Sequence, residues 1–240
     1  MSSQGIFLTA EWRNLVLLNY EVDPGLLLPF VPRGTAVDQW NGKTFVSLVA
    51  FQFLNAKVFG VSIPLHVNFE EVNLRFYVKR EAGGEVRRGV VFIREIVPRR
   101  AIAAIARFAY GENYAFRPMR HNLQSSKSKI EAHYEWQSGG SWGGLHAEAA
   151  GSPGLPAEGS VEQFITEHYW GYAAQRDGSC VEYQVKHPPW RVWNCTGASF
   201  DGQVTDLYGS ALANILKGKQ ASAFIADGSP VEVLRGRRIA

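Results

Sequence analysis

The stretch EVNLRFYVKREAGGEVRRGVVFIREIV, Glu71–Val97, decides how the rest of the 240-residue chain is read. Its first arm alternates: Val72, Leu74, Phe76 and Val78 fall on one face, and Glu71, Asn73, Arg75 and Tyr77 on the other. A period of two marks a strand with one face in a core, because successive side chains of a pleated strand point to opposite sides. Gly83-Gly84 stands where a tight reversal needs positive φ, so the second arm returns as an antiparallel partner. The polar face has two readings, a solvent-facing side or a cavity wall. Solvent is the default for an alternating strand. Against that default, Asn, Arg and Tyr in sequence are unlike the Lys, Thr and Ser of a surface strand, and a ligand-holding barrel turns one polar-decorated face inward.

Strand signals continue on both sides. GIFLTAEWRNLVLLNYEV, from Gly5, is one long or bent strand, and DPGLLLPFVP is a short helical turn between prolines. TAVDQWNGKTFVSLVAFQFL is a hairpin that turns at Asn41-Gly42. Beyond Pro98, the stripe Ile102, Ile105, Ala106 and Ala109 predicts a helix, followed by the polar stretch YGENYAFRPMRH, Tyr110–His121. Strands are expected at 129–137, 144–149, 180–187 and 190–200. SVEQFITEHYWGY predicts a short helix capped by Ser160, and TDLYGSALANILKG one capped by Thr205 or Asp206 and closed by Gly218. These elements predict one mainly β (α+β) domain over 1–240, an antiparallel sheet or barrel with a few peripheral helices.

The net charge of +3 and pI of 8.9 suit an anionic small ligand and argue for no nucleic acid. Arginines recur at Arg87-Arg88, Arg99-Arg100 and Arg235/Arg237/Arg238, dispersed and without a nucleic-acid-binding signature. The longest apolar run, FVSLVAFQFL, is too short to span a bilayer. Cys180 and Cys195, outside any CxxC pair, read as reduced thiols, and with no signal peptide the expected location is cytoplasmic. The histidines show no metal-ligand spacing, and no hydrolase, phosphate-loop or dinucleotide fingerprint occurs, so neither metal nor cofactor is expected. KHPPWRVW offers His187 and Trp190 on a rigid Pro-Pro corner, a pocket rim or a well-packed turn. Glu167 and His168 are adjacent, and on a helix adjacent side chains do not face each other.

Taken in order, FVSLVAFQF, PLHVNFEEVNLRFYV, GVVFIREIVPRRAIAAIARFAYGENYAFRPMR, FITEHYWGY and VKHPPW resemble the YqjF-like family of uncharacterised bacterial proteins, over nearly the whole chain. That family is related to acetoacetate decarboxylase, so the resemblance implies an antiparallel β-cone with a central ligand cavity. The decarboxylase works through a lysine Schiff base, whose pKa a neighbouring ammonium and an apolar site lower. In this chain its arginine falls on Arg13, its glutamate on Glu71 and its Pro-Lys-Lys on Pro118-Met119-Arg120. Methionine cannot form an imine and arginine is no nucleophile. No lysine occurs between Lys79 and Lys127, and Lys127, Lys129 and Lys186 are the remaining substitutes considered.

The expected function is therefore a cavity that binds a small organic anion without Schiff-base decarboxylation. The alternatives are a lyase-type enzyme using Glu, Arg and His instead, or a non-catalytic sensor or carrier. Glu71, Arg120 and His187 are the catalytic candidates. Arg13, Asn73, Arg75, Tyr77, Tyr114, Met119 and Trp190 are the ligand-binding candidates, with the arginines as carboxylate clamps and Glu112 as a further wall residue. No membrane partner is expected, and exposed edge strands make a homodimer the expected assembly.

Overall fold

The computed structural model describes residues 5–64, 66–98 and 113–239. Its strands are β1 (Ile6–Val22), β2 (Ala36–Val37), β3 (Thr44–Val58), β4 (Val61–Ser62), β5 (Phe69–Ala82), β6 (Glu85–Val97), β7 (Tyr114–Phe116) and β8 (Met119–Ser125). They continue with β9 (Lys129–Ser138), β10 (Ser141–Ala150), β11 (Trp170–Ala174), β12 (Cys180–Lys186), β13 (Val192–Asp201), β14 (Ser222–Leu234) and β15 (Arg237–Ile239). The helices are α1 (Val161–Thr166) and α2 (Thr205–Leu216). The helix expected around Ile102–Ala109, together with Glu112, lies outside the described residues.

One sheet runs β15-β12-β11-β6-β5-β3-β1-β14-β13-β10-β9-β8. β12 also meets β14, at Val185↔Val233 and Lys186↔Glu232, so the strands from β12 round to β14 curl into a partial ring. The strands β13, β10, β9 and β8 fold back as a flap. The fold is the mainly β class expected, but the sheet is mixed: β6 pairs in parallel with β11 and with β7.

Alternation along each ring strand builds two separate cores. Val16, Leu18, Val46, Leu48, Val72, Leu74 and Phe76 face outward, under the flap residues Ala132, Tyr134 and Trp136 and the α2 residues Leu212 and Leu216. Leu15, Leu17, Phe45, Val49, Phe51 and Tyr77 face into the ring. The polar side of β5 is thus an inner wall, and the solvent-facing default does not apply, because the flap and α2 cover the outer side and the strand ring closes over the inner one.

Several local readings change. Gly83 and Gly84 turn the β5–β6 hairpin with φ of 62° and 81°. Asn41-Gly42 also makes its tight turn, with Trp40 and Lys43 exchanging backbone hydrogen bonds of 3.0 and 2.9 Å. Its upstream arm, however, pairs with β5 at Ala36↔Lys79 rather than with β3. The SVEQFITEHYWGY helix stops at Thr166, and Trp170–Ala174 is a strand instead. Ser160 does cap α1, accepting from the Gln163 amide at 3.2 Å. Neither Thr205 nor Asp206 caps α2: Val204 holds that position, and Gly209 at φ 77° breaks the helix. Asp206 instead receives Ser138 and Arg117, each at 3.0 Å. The central strand β14 has no counterpart in the sequence reading, because Gly228-Ser229-Pro230 reads as a turn. In the fold Gly228, at φ 76°, lies opposite Arg13 in unbroken β1–β14 register, while on the other side of β1 the pairing with β3 slips at Asn14, whose φ is 55°.

Candidate functional site

The strand ring encloses a cavity of about 130 Å³. Its polar side chains come mainly from β5, where Glu71, Asn73 and Arg75 project at every second residue. β7 adds Tyr114, and the Pro-Pro corner adds His187 and Trp190. Glu95 and His168 also reach the wall. A bulge between β5 and β6 moves the register from Leu74↔Arg94 to Arg75↔Phe92. The slip of one residue puts Glu95, rather than Arg94, on the same side as Val90 and Phe92.

Glu71 is buried and accepts two hydrogen bonds, from Asn73 Nδ2 at 3.1 Å and from the Tyr114 hydroxyl at 3.2 Å. Burial raises its pKa to about 7, against the opposing pull of Asn73, Tyr114 and the Arg75 charge. Near neutral pH the cavity therefore holds a carboxyl group able both to give and to take a proton. Arg75, at 8% exposure, is the cavity's buried cation. Its Nη2 donates one long bond of 3.5 Å to the Ile165 carbonyl, its Nε is buried without a partner, and its guanidinium lies 5.8 Å from the Tyr77 ring. Among the described residues no carboxylate stands within 4.0 Å of it. Trp12 Nε1 and Asn73 Oδ1 are likewise buried without partners among the described residues.

His168 lies between Tyr77 and Phe164, with ring centroids 4.7 and 5.0 Å away. Its Nε2 is 3.4 Å from Asp38 Oδ2, and Arg88 Nε fixes that same oxygen at 2.7 Å. Burial depresses His168 to about 4, against the pull of Asp38, so the imidazole is neutral. His187 is depressed to about 4 by burial as well, and it stacks on Trp190 at 4.3 Å.

Of the candidates read from sequence, Glu71, Asn73, Arg75, Tyr114, His187 and Trp190 meet at this cavity. Four do not. Arg13 follows the wall residue Trp12, so alternation turns it away, and it closes on Glu11 at 2.7 Å. Tyr77 is buried on the inner side, but its hydroxyl bonds Ser47 at 2.6 Å and takes no part in the wall. Met119 and Arg120 belong to β8, the far strand of the flap. Met119 packs on the outer core, and Arg120 is exposed, chelating Glu135 at 2.6 and 2.9 Å with Trp142 beneath it at 4.3 Å. Glu95 and Trp12 carry no signal in the sequence reading. His168 was paired with Glu167 on a supposed helix, and its partner Asp38 is 130 positions away in sequence.

No lysine lines the cavity, and the segment 99–112 contains none. Lys127 is exposed, Lys129 bridges Glu131 and Glu148 at 3.2 and 2.8 Å, and Lys186 borders a separate outer groove. Several of the described arginines are held in local ion pairs. Arg80, Arg87 and Arg237 converge on the fully buried Glu182 at 3.0, 2.8 and 2.6 Å, and Arg238 pairs with Asp177 at 2.6 Å. Among the described residues no group of three or more His, Cys, Asp or Glu side chains could hold a metal ion. No helix there is long and apolar enough to cross a membrane.

A large curled sheet around a polar-edged cavity is the architecture of the acetoacetate decarboxylase-like proteins. An acetoacetate decarboxylase from Legionella pneumophila subsp. pneumophila str. Philadelphia 1 superposes with a TM-score of 0.67 at 13% identity, covering 98% of this chain and 88% of that one. The enduracididine biosynthesis enzyme MppR, complexed with the condensation product of pyruvate and imidazole 4-carboxaldehyde, superposes with a TM-score of 0.65 at 13% identity, covering 98% and 89%. Within that fold class, residues 9–230 match the model of DUF2071, an uncharacterized conserved protein, and the chain belongs to that family. The uncharacterized protein YqjF of Bacillus subtilis (strain 168) is 24% identical over 213 residues, spanning 87% of this chain and 84% of that protein.

Proposed function

We propose that the protein binds a small organic carboxylate inside its strand ring, with Arg75 as the anion's partner, and does so without forming a Schiff base. The observation that carries this reading is the state of Arg75: a buried guanidinium with, among the described residues, no carboxylate against it and no partner for its Nε. A buried ion without a counter-ion costs several kcal/mol, and a ligand carboxylate would offset that cost through two parallel N–H···O bonds. Asn73, two residues away on the same face of β5, has a second amide N–H besides the one given to Glu71, which suits a second ligand oxygen. The missing lysine removes the means of making an iminium.

Glu71 supports a second, catalytic form of the same reading. A carboxyl group that titrates near neutrality beside a bound anion suits proton transfer, with His187 as a neutral base on the rim. Such an enzyme would perform lyase-type chemistry on a carboxylate held by Arg75.

Calorimetric titration with acetate, pyruvate and acetoacetate, in wild type and Arg75→Met, tests the binding. Saturable binding that the variant loses is expected, and equal binding by both proteins would refute Arg75 as the anion site. Borohydride treatment with acetoacetate, read by intact mass, should leave the protein unmodified; an adduct on any lysine would overturn the rejection of Schiff-base chemistry.

A further inference from the structure

We infer that the carboxylate taken by this cavity has a flat aromatic body, so that its substrate or ligand class is the aryl carboxylates. This rests on the anion reading above and narrows it. Beside the polar group around β5 and aliphatic side chains such as Leu15, Val90 and Ile165, the wall carries a cluster of aromatic ones: Trp12, Phe51, Phe53, Phe69, Phe92 and Trp190 all line it. These side chains hold one another in fixed planes. Phe53 stacks on Phe69 with centroids 4.7 Å apart and planes 13° from parallel. Trp12 stands edge-on to Phe51 at 5.5 Å, to Phe53 at 5.8 Å and to Trp190 at 6.1 Å. Flat walls in offset-stacked and edge-to-face arrangement present both ring faces and ring edges, the two surfaces that a further aromatic ring packs against best.

Size points the same way. A cavity of about 130 Å³ is comparable with engineered apolar cavities of roughly 150 Å³ that stay dry and admit benzene. Acetate or pyruvate would satisfy Arg75 but leave most of the aromatic wall uncovered. Trp12 adds an independent mark. Trp190 Nε1 is satisfied by Ser229 Oγ at 2.9 Å, whereas Trp12 Nε1 is buried with no acceptor. An unmade bond at a buried donor is costly, so the aromatic end of the wall offers one N–H to a ligand. An aryl carboxylate bearing a ring hydroxyl or carbonyl would meet both that donor and Arg75.

The test is calorimetric titration of the full chain with acetate, hexanoate, cyclohexanecarboxylate, benzoate, cinnamate, 4-hydroxycinnamate and benzamide. In parallel, the indole N–H resonance of Trp12, assigned by its loss in Trp12→Phe, is followed by NMR. Benzoate or cinnamate should bind at least about tenfold tighter than acetate and hexanoate, should move the Trp12 signal, and should lose that advantage in Arg75→Met. Benzamide should bind at least about tenfold more weakly than benzoate. That control depends on no variant folding correctly. If acetate, hexanoate or cyclohexanecarboxylate binds at Arg75 as tightly as the aryl acids, the aryl class is wrong and the anion reading stands. If benzamide matches benzoate, both fail, because the cavity then selects apolar rings without regard to charge.

Discussion

Replacing Arg75 by methionine should make the protein more stable while removing its carboxylate binding. The wild-type side chain keeps a charge buried at 8% exposure without an ion-pair partner among the described residues. Exchanging buried ionic groups for apolar ones of similar volume is commonly neutral to stabilising by about 1–4 kcal/mol. Against that gain stand the 3.5 Å bond to the Ile165 carbonyl and the contact with the Tyr77 ring at 5.8 Å. Each is at the outer limit of its kind, and together they are worth about 1 kcal/mol. Glu71 would lose a cation that now lowers its pKa, and would respond by staying protonated, at little cost near neutral pH. The balance is a gain of about 1 kcal/mol, or a Tm higher by about 2–4 °C for a chain of this length. Differential scanning calorimetry at pH 7, paired with titration of benzoate, measures both halves. A variant that melts lower by several degrees and still binds the acid would show that Arg75 serves the fold and not a ligand.

Glu71→Gln should alter the pH dependence of stability with a defined sign. Glu71 is raised to about 7 in the fold, so between about pH 4.5 and 7 the native state holds a proton that the unfolded state has lost, and its contribution falls as pH rises. His168 and His187, lowered to about 4, act oppositely below about pH 6.5. The variant's stability relative to wild type should therefore climb by up to about 1.4 kcal/mol per pH unit across the Glu71 window, as followed by urea denaturation; a flat difference would place Glu71 outside the buried site. Glu182→Ala strands Arg80 and Arg87 against Tyr172 and should cost about 3–5 kcal/mol, lowering Tm by about 6–20 °C; a change under about 1 kcal/mol would mean that the cluster is solvated. Gly228→Ala should unfold the protein or sharply lower its yield, because a Cβ at φ 76° would run into the Trp12 carbonyl; near-normal melting would disprove the close approach of β14 to β1 there.

What the sequence made legible follows from which signals are local. The alternation of β5 and the glycine turn at its end are local, so the hairpin and its two faces were readable from Glu71–Val97 alone. Which face meets water is set by what else packs there, and no period carries that information. The candidates that met at the cavity share this logic: Glu71, Asn73 and Arg75 lie on one face by strand geometry, whatever the register of the neighbouring strands. Tyr77 shares that face but lies off the wall, its hydroxyl held by Ser47, whereas Arg13, Met119 and Arg120 come from laying a distant pattern over the chain without its bulges. Arg13 lies beside Asn14, whose left-handed backbone shifts the pairing of β1, and Met119-Arg120 begins a flap strand. Glu95 was missed for the related reason that a bulge restores it to the cavity face. His168 needed the correct end of α1 and a contact across the fold to Asp38.

The cavity's cation is an arginine, and under the proposed function that choice sets its chemistry. An apolar interior pushes a lysine toward its neutral, nucleophilic form, which is how a decarboxylase of this architecture gains its Schiff base. Arginine does not respond in that way, because its guanidinium stays charged at any working pH. With Arg75 as the cavity's cation, the same desolvation acts on the acids and bases around it, raising Glu71 toward neutrality and holding His168 and His187 neutral. Under the proposed function the cavity offers a fixed positive charge flanked by groups that can carry a proton, and no amine for covalent catalysis. Any turnover in this cavity should accordingly depend on Glu71 with a pH midpoint near 7, survive borohydride, and disappear in Arg75→Met through loss of binding. Activity that persists in Glu71→Gln with an unchanged pH profile would break this link between burial and chemistry.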